Sequence, residues 1–203
     1  MNKKMDKKDH KSRMEKRKEL QIKRLSERQI EKGLILVLTG NGKGKTTSSL
    51  GMALRTVGHN EKVAIIQFIK GAWNTGEEKA LKAFNDKVSW HSLGGGFTWE
   101  TQDKEEDIKL ANKAWSKAKQ FIQDESFKLV ILDEILIALK LGYLKEQEII
   151  DNIRLKPLSS HVILTGRGAT QNIIKFADLV TEMTLIKHPF KDQGVKAQSC
   201  IEF

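Results

Sequence analysis

Gly40-Asn41-Gly42-Lys43-Gly44-Lys45-Thr46-Thr47 is the stretch whose residue types and spacing could do chemistry unaided. Three glycines on alternate positions let the backbone turn tightly and visit φ > 0 without a Cβ clash. A loop of this kind aims several backbone N–H groups at one point, beside the positive end of the helix that Lys45, Thr46 and Thr47 open. Lys45 adds a mobile cation, and the Thr46 hydroxyl can ligate Mg²⁺. The pattern is G-x-x-x-x-G-K-[ST], with Thr39 standing where the first glycine is expected. The chemistry implied is capture of a phosphate chain, that of a nucleoside triphosphate with Mg²⁺. Gly40, Asn41, Gly42, Lys43, Gly44, Lys45, Thr46 and Thr47 form the candidate nucleotide site.

Three further constellations belong beside this loop. Leu129-Val130-Ile131-Leu132 is an apolar run ending in Asp133 and Glu134. An acid at a strand end is where phosphate-loop proteins meet Mg²⁺, so Glu134 or Asp133 faces Thr46 across the metal. Gly94-Gly95-Gly96-Phe97-Thr98-Trp99 turns tightly and then presents two aromatics at i and i+2. In an extended segment their rings point the same way, toward a flat apolar partner. Thr165-Gly166-Arg167-Gly168 sets an arginine between glycines, where it can approach a phosphate or carboxylate closely. Lys70, Lys187 and His188 are weaker candidates. His91 reads as a packed strand histidine, since no second His, Cys or acid shares its spacing. The five histidines form no metal-site pattern, and nothing resembles a Ser–His–Asp set.

The elements that position these groups follow from the hydrophobic pattern. Buried strands are predicted at 34–38, 62–69, 88–93, 129–132 and 161–165, with two more at 179–186 and 195–201 joined as a hairpin across 192–194. Helices are predicted at 77–84, 104–123, 134–141, 145–155 and 170–177. Repeated β–α order implies an α/β fold: a mostly parallel sheet with helices on both faces. The ligand then lies beyond the carboxyl ends of the strands. The segments 39–47, 70–76, 94–100, 133–134 and 166–168 should converge there.

Composition bounds the rest. The chain is 39% hydrophobic, enough for one sizeable core plus an appendage. Of the net charge of +10, residues 1–32 carry +7, from 13 Lys/Arg against 6 Asp/Glu. The remaining residues are nearly balanced, which argues against a nucleic-acid platform over the whole surface. Residues 1–32 are expected to be a basic arm, helical with Leu20, Ile22, Leu25 and Ile30 as a thin stripe, or disordered. Residues 33–203 are expected to be one domain. No apolar run reaches membrane-spanning length, no signal peptide opens the chain, and Cys200 is the one cysteine, all of which fits a cytoplasmic protein.

Together these motifs resemble a known family. T-G-N-G-K-G-K-T-T at Thr39–Thr47, Q-F-I-K-G at Gln67–Gly71, G-F-T-W-E-T-Q at Gly96–Gln102, L-D-E at Leu132–Glu134, T-G-R-G at Thr165–Gly168 and K-A-Q at Lys196–Gln198 are similar to the ATP:corrinoid (cob(I)alamin) adenosyltransferases of the CobA type. The resemblance implies a RecA-like P-loop fold and a homodimeric cytoplasmic enzyme. It implies transfer of the 5′-deoxyadenosyl group of ATP to the cobalt of a reduced corrinoid, with release of triphosphate, in adenosylcobalamin synthesis or salvage. By matched position, Lys45 and the loop hold the triphosphate, Thr46 and Glu134 the Mg²⁺, and Phe97 and Trp99 close the lower face of the corrin. It also implies an electron donor such as reduced flavodoxin, and an N-terminal segment that helps cover the corrinoid. Cys200 stands where the family leads one to expect glycine, and the stretch 190–195 is one residue longer. A RecA-like ATPase acting on nucleic acid is the alternative reading, with the basic arm as anchor and the two aromatics stacking bases.

Overall fold

The structure, a computed structural model, describes residues 7–69, 75–95 and 103–202, and for residues 7–9 the backbone alone. Residues 1–32 and 33–203 form two separate compact units. The first contains helix α1 (Lys7–Ser26), whose last turn carries Lys23 and Arg24.

In the second unit, alternating apolar runs build a six-stranded sheet: β1 (Ile35–Thr39), β2 (Lys62–Gln67), β3 (Val88–Ser92), β4 (Phe127–Asp133), β5 (His161–Thr165) and β6 (Leu179–Glu182). The strand order is β3-β2-β4-β5-β1-β6, and every pairing is parallel. Parallel strands need crossover elements that cover both faces. Those elements are α2 (Lys45–Gly58), α3 (Gly76–Leu81) with a 3₁₀ turn at Lys82–Phe84, α4 (Lys104–Gln123), α5 (Ile135–Lys140), α6 (Glu146–Arg154) and α7 (Gln171–Phe176).

Because successive strand residues face opposite sides, each central strand feeds two cores. Leu129 and Ile131 pack with Leu50 and Ala53 of α2 on one face. Val130 and Leu132 pack with Ala111, Ala114, Trp115, Ala118 and Ile122 of α4 on the other. The small alanines of α4 let the helix sit close, while Trp115 fills the remaining space and donates from Nε1 to Glu148 at 2.8 Å.

The sheet ends at β6. The predicted strand at 195–201 and its hairpin are absent from the described residues. Pro189–Gln193 forms a short helix, α8, instead. Pro189 sits where a missing N–H costs nothing, His188 caps the first turn by accepting from Phe190 N at 3.2 Å, and Gly194 ends the helix in the left-handed region at φ 66°. α8 thus occupies the expected connection between the two strands, and residues 195–202 after it run as irregular backbone and turns.

Candidate active site

The carboxyl ends of β2, β4 and β5 and the first turn of α2 are joined by side-chain hydrogen bonds centred on Asp133. Its Oδ1 accepts from Thr46 Oγ1 at 2.9 Å and from Thr165 Oγ1 at 2.7 Å. Its Oδ2 accepts from Gln67 Nε2 at 3.0 Å. The relay continues sideways: Ser92 Oγ donates to Gln67 Oε1 at 2.8 Å, and Trp90 Nε1 donates to Ser92 Oγ at 3.0 Å. Register explains the convergence, since Gln67 lies opposite both Ser92 and Asp133. A buried network of this kind fixes the carboxylate's orientation because each lost partner would leave a desolvated polar group.

The phosphate loop turns on glycine conformations at two points. Gly40 lies at φ 95° and Gly44 at φ 102°, where Gly44 is also the N-cap of α2. With no side chain capping it, the first turn of α2 leaves its N–H groups to whatever anion occupies the loop. Lys45 reaches back to the loop's carbonyls, donating from Nζ to Gly40 O at 2.8 Å and Gly42 O at 2.5 Å. Burial, and then the neighbouring Arg167 guanidinium and Lys43 ammonium, pull the Lys45 ammonium below its ordinary value; Glu134 and Asp133 push the other way. Arg167 and Glu134 therefore lie within electrostatic reach of Lys45. Thr39, in place of the motif's first glycine, is buried and accepts from Ala169 N at 3.3 Å, tying the loop to the Thr165–Gly168 turn.

Of the sequence-predicted groups, the structure thus brings together the 40–47 loop, Asp133, Glu134 and Arg167. Glu134 stands at φ 63° as N-cap of α5, with its backbone N–H donating to Thr165 Oγ1 at 2.9 Å. Thr46 bonds directly to Asp133. The hydroxyl and two carboxylates are hard oxygen donors and few, a set suited to an Mg²⁺ that keeps water and phosphate oxygens in its shell. Among the described residues no cluster of three or more His, Cys, Asp or Glu side chains could hold a metal by itself.

Phe97, Trp99 and Lys70 lie outside the described residues. The base of the aromatic loop is described. Leu93 N donates to Gln67 O at 3.1 Å. A Cβ on Gly94 would lie 2.5 Å from the Ile69 carbonyl carbon, so the loop leaves the sheet pressed against the exit of β2. His91 is a packed strand residue, its ring 5.2 Å from that of Phe121 and its basicity lowered by burial and by Lys117. His188 serves as a helix cap. Gln67, Ser92 and Thr165 were not singled out as site residues by sequence; only the strand register shows that they share one carboxylate.

A profile of the family described as ATP:corrinoid adenosyltransferase BtuR/CobO/CobP matches residues 31–203. The chain belongs to this family. A corrinoid adenosyltransferase of Pseudomonas aeruginosa is 48% identical over 194 residues, covering 96% of this chain and 95% of that one. One from Escherichia coli K12 is 42% identical over 180 residues, covering 89% and 90%. The solved flagellar accessory protein FlaH of Methanocaldococcus jannaschii superposes with TM-score 0.51 at 11% identity, over 75% of this chain and 72% of that one. That likeness bears on the fold alone, and agrees with the RecA-like α/β reading. The family match favours corrinoid adenosyl transfer over the nucleic-acid ATPase. No helix among the described residues is long and apolar enough to cross a membrane.

Proposed function

We propose that this adenosyltransferase moves the 5′-deoxyadenosyl group of ATP onto the cobalt of a reduced corrinoid through the site built on Lys45 and Asp133. Cobalt(I) of the substrate supplies an electron pair to C5′. The C5′–O bond breaks, and triphosphate leaves with the bonding pair. Cobalt(I) is itself strongly nucleophilic, so no side chain has to be activated. The leaving group is already ionised, so no general acid is needed. What the protein must do is align the three atoms and neutralise charge growing on the leaving oxygen.

The observation that carries this reading is the loop cradle itself. Lys45 folds back onto the loop carbonyls, α2 opens without a side-chain cap, and Arg167 lies within electrostatic reach of Lys45, in a chain whose family acts on ATP and a corrinoid. On this reading Gly40–Thr47 and Arg167 hold the triphosphate. Thr46 with Glu134, and Asp133 behind Thr46, hold Mg²⁺, which when bound would shield charge on the phosphates. Phe97 and Trp99 exclude water and a lower axial base from one face of the corrin. That loss of a ligand lowers the orbital that accepts the electron converting cobalt(II) to cobalt(I), within reach of a donor such as reduced flavodoxin. The enzyme works as a cytoplasmic homodimer in adenosylcobalamin synthesis or salvage.

An anaerobic assay with ATP, Mg²⁺ and chemically reduced cobalamin tests this. The spectrum should change to that of the alkylated cobalamin while intact tripolyphosphate accumulates. Orthophosphate as the product, with no change at cobalt, would identify an ordinary hydrolase and sink the proposal.

A further inference from the structure

The phosphate loop has a second wall, made by the segment that follows β6. Met183 N donates to Thr39 O at 2.9 Å, and Gly42 N donates to Met183 O at 2.6 Å. A Cβ on Gly40 or Gly42 would lie 2.4 or 2.7 Å from that same Met183 oxygen, so both glycines are required by close approach. One loop N–H is therefore committed to Met183 rather than to a ligand. Farther on, Ile201 N and Glu202 N turn back to Gln198 O at 3.3 and 2.9 Å, with Cys200 at φ 71°. This turn carries the Glu202 carboxylate onto the ammonium of Lys43, where the two form an ion pair.

The electrostatics give that pair a purpose. Lys43, Lys45 and Arg167 crowd one loop, and Lys43 and Arg167 both act to lower the Lys45 ammonium's pKa. A cluster of like charges is costly until an anion arrives. The Glu202 side chain is only 17% exposed, whereas that of Lys43 is 49% exposed. A carboxylate and a phosphate chain cannot both sit against Lys43 without repelling each other.

We propose that Glu202 is a built-in competitor of the phosphate chain: it holds Lys43 while the loop is empty, yields it to the ligand, and retakes it as triphosphate departs. The inference rests on the reading that this loop holds triphosphate. Glu202 touches no reacting atom in this scheme; it is a positioning residue acting through Lys43. Its effect is to limit how tightly the released triphosphate is retained.

Calorimetric titration of the full chain with Mg²⁺-tripolyphosphate is the direct test. Glu202→Gln should tighten binding roughly three- to fivefold, the scale of one exposed ion pair. It should lower KM for ATP in parallel and make tripolyphosphate a stronger product inhibitor, with a reduced kcat. Glu202→Asp, which keeps the charge, should stay within about twofold of wild type. In a Lys43→Ala background the Glu202→Gln effect should vanish, as a double-mutant cycle demands of two groups acting only through each other. Unchanged or weaker binding by a Glu202→Gln protein that melts like wild type overturns the competition. So does a Glu202→Gln effect that persists without Lys43. Absence of tripolyphosphate binding in the wild-type chain would instead overturn the assignment of the loop, a result distinct from either.

Discussion

Lys45 and the pair Phe97 and Trp99 are assigned different steps, so their substitutions should separate under different reductants. Lys45 is already drawn into the loop by two carbonyls, so its ammonium is positioned for charge growing on a leaving oxygen. That demand exists however cobalt(I) is made. Lys45→Ala should therefore lower kcat/KM at least about a hundredfold with either a chemical reductant or reduced flavodoxin, the scale of losing one preorganised charge partner. Phe97 and Trp99 are proposed to ease the reduction, so Phe97→Ala and Trp99→Ala should cripple turnover with reduced flavodoxin and hurt far less with preformed cobalt(I). Equal losses of the aromatic variants under both conditions would remove them from the reduction step. The phosphate loop was legible in sequence because its chemistry is local: glycines, lysine and threonine within eight consecutive residues meet one ligand. Asp133 was harder. It was named beside Glu134, and only the structure shows Thr46, Thr165 and Gln67 all bonding to Asp133.

At the scale of elements, legibility follows the same division. The strands β1, β2, β4 and β5 and the long helix α4 were readable because burial on both faces, or a periodic stripe, leaves a strong mark. The region after β6 was not, because its signals are end signals: a proline, a capping histidine and a left-handed glycine build α8 in what was expected to be the connection of a hairpin, and no strand follows it among the described residues. The glycine expected by resemblance at position 200 has a physical reason here, since Cys200 occupies φ 71°. Cys200→Gly should stabilise the 198–202 turn by about 1 kcal/mol, the cost of holding a side chain in that region, read as a raised melting temperature. A lowered one would mean the cysteine side chain matters more than the backbone. A second element-level contact ties β1 to β5: Leu34 N donates to His161 Nδ1 at 3.0 Å, which requires an unprotonated nitrogen. Burial, and then Lys128 and Lys156, hold this imidazole's pKa below its ordinary 6.5. Below that ordinary value the unfolded chain takes a proton that the folded one resists. The contribution is thus complete above it and is lost as pH falls through the folded value. Melting temperature should drop between about pH 7.5 and about pH 5.5, and drop less in His161→Gln. His91 is shifted in the same direction and should leave part of the effect in place; an identical drop in both proteins would exclude His161.

On the scale of the molecule, β6 is an edge strand exposed along its length, with Leu179 at 43% and Val180 at 38% exposure, and the segment after it exposes Ile186 at 94% and Phe190 at 65%. Parallel strands are ordinarily covered on both faces, and an apolar edge of this kind calls for a second surface. A homodimer supplies one, so light scattering should return twice the chain's 23.1 kDa; a monomer at assay concentrations would contradict the proposed assembly. The arm poses a separate question. Residues 1–32 hold +7 of the net charge and form their own compact unit, while the loop, Asp133 and both cores lie in residues 33–203. A chain lacking residues 1–32 should therefore fold, bind Mg²⁺-tripolyphosphate with wild-type affinity, and melt within a few degrees of the full chain, since no core residue is removed. If the arm covers the corrinoid, the same chain should lose adenosylation with a raised KM for cobalamin and an unchanged KM for ATP. Loss of tripolyphosphate binding would place the arm in the nucleotide site instead, and wild-type kinetics toward both substrates would leave it no part in the reaction.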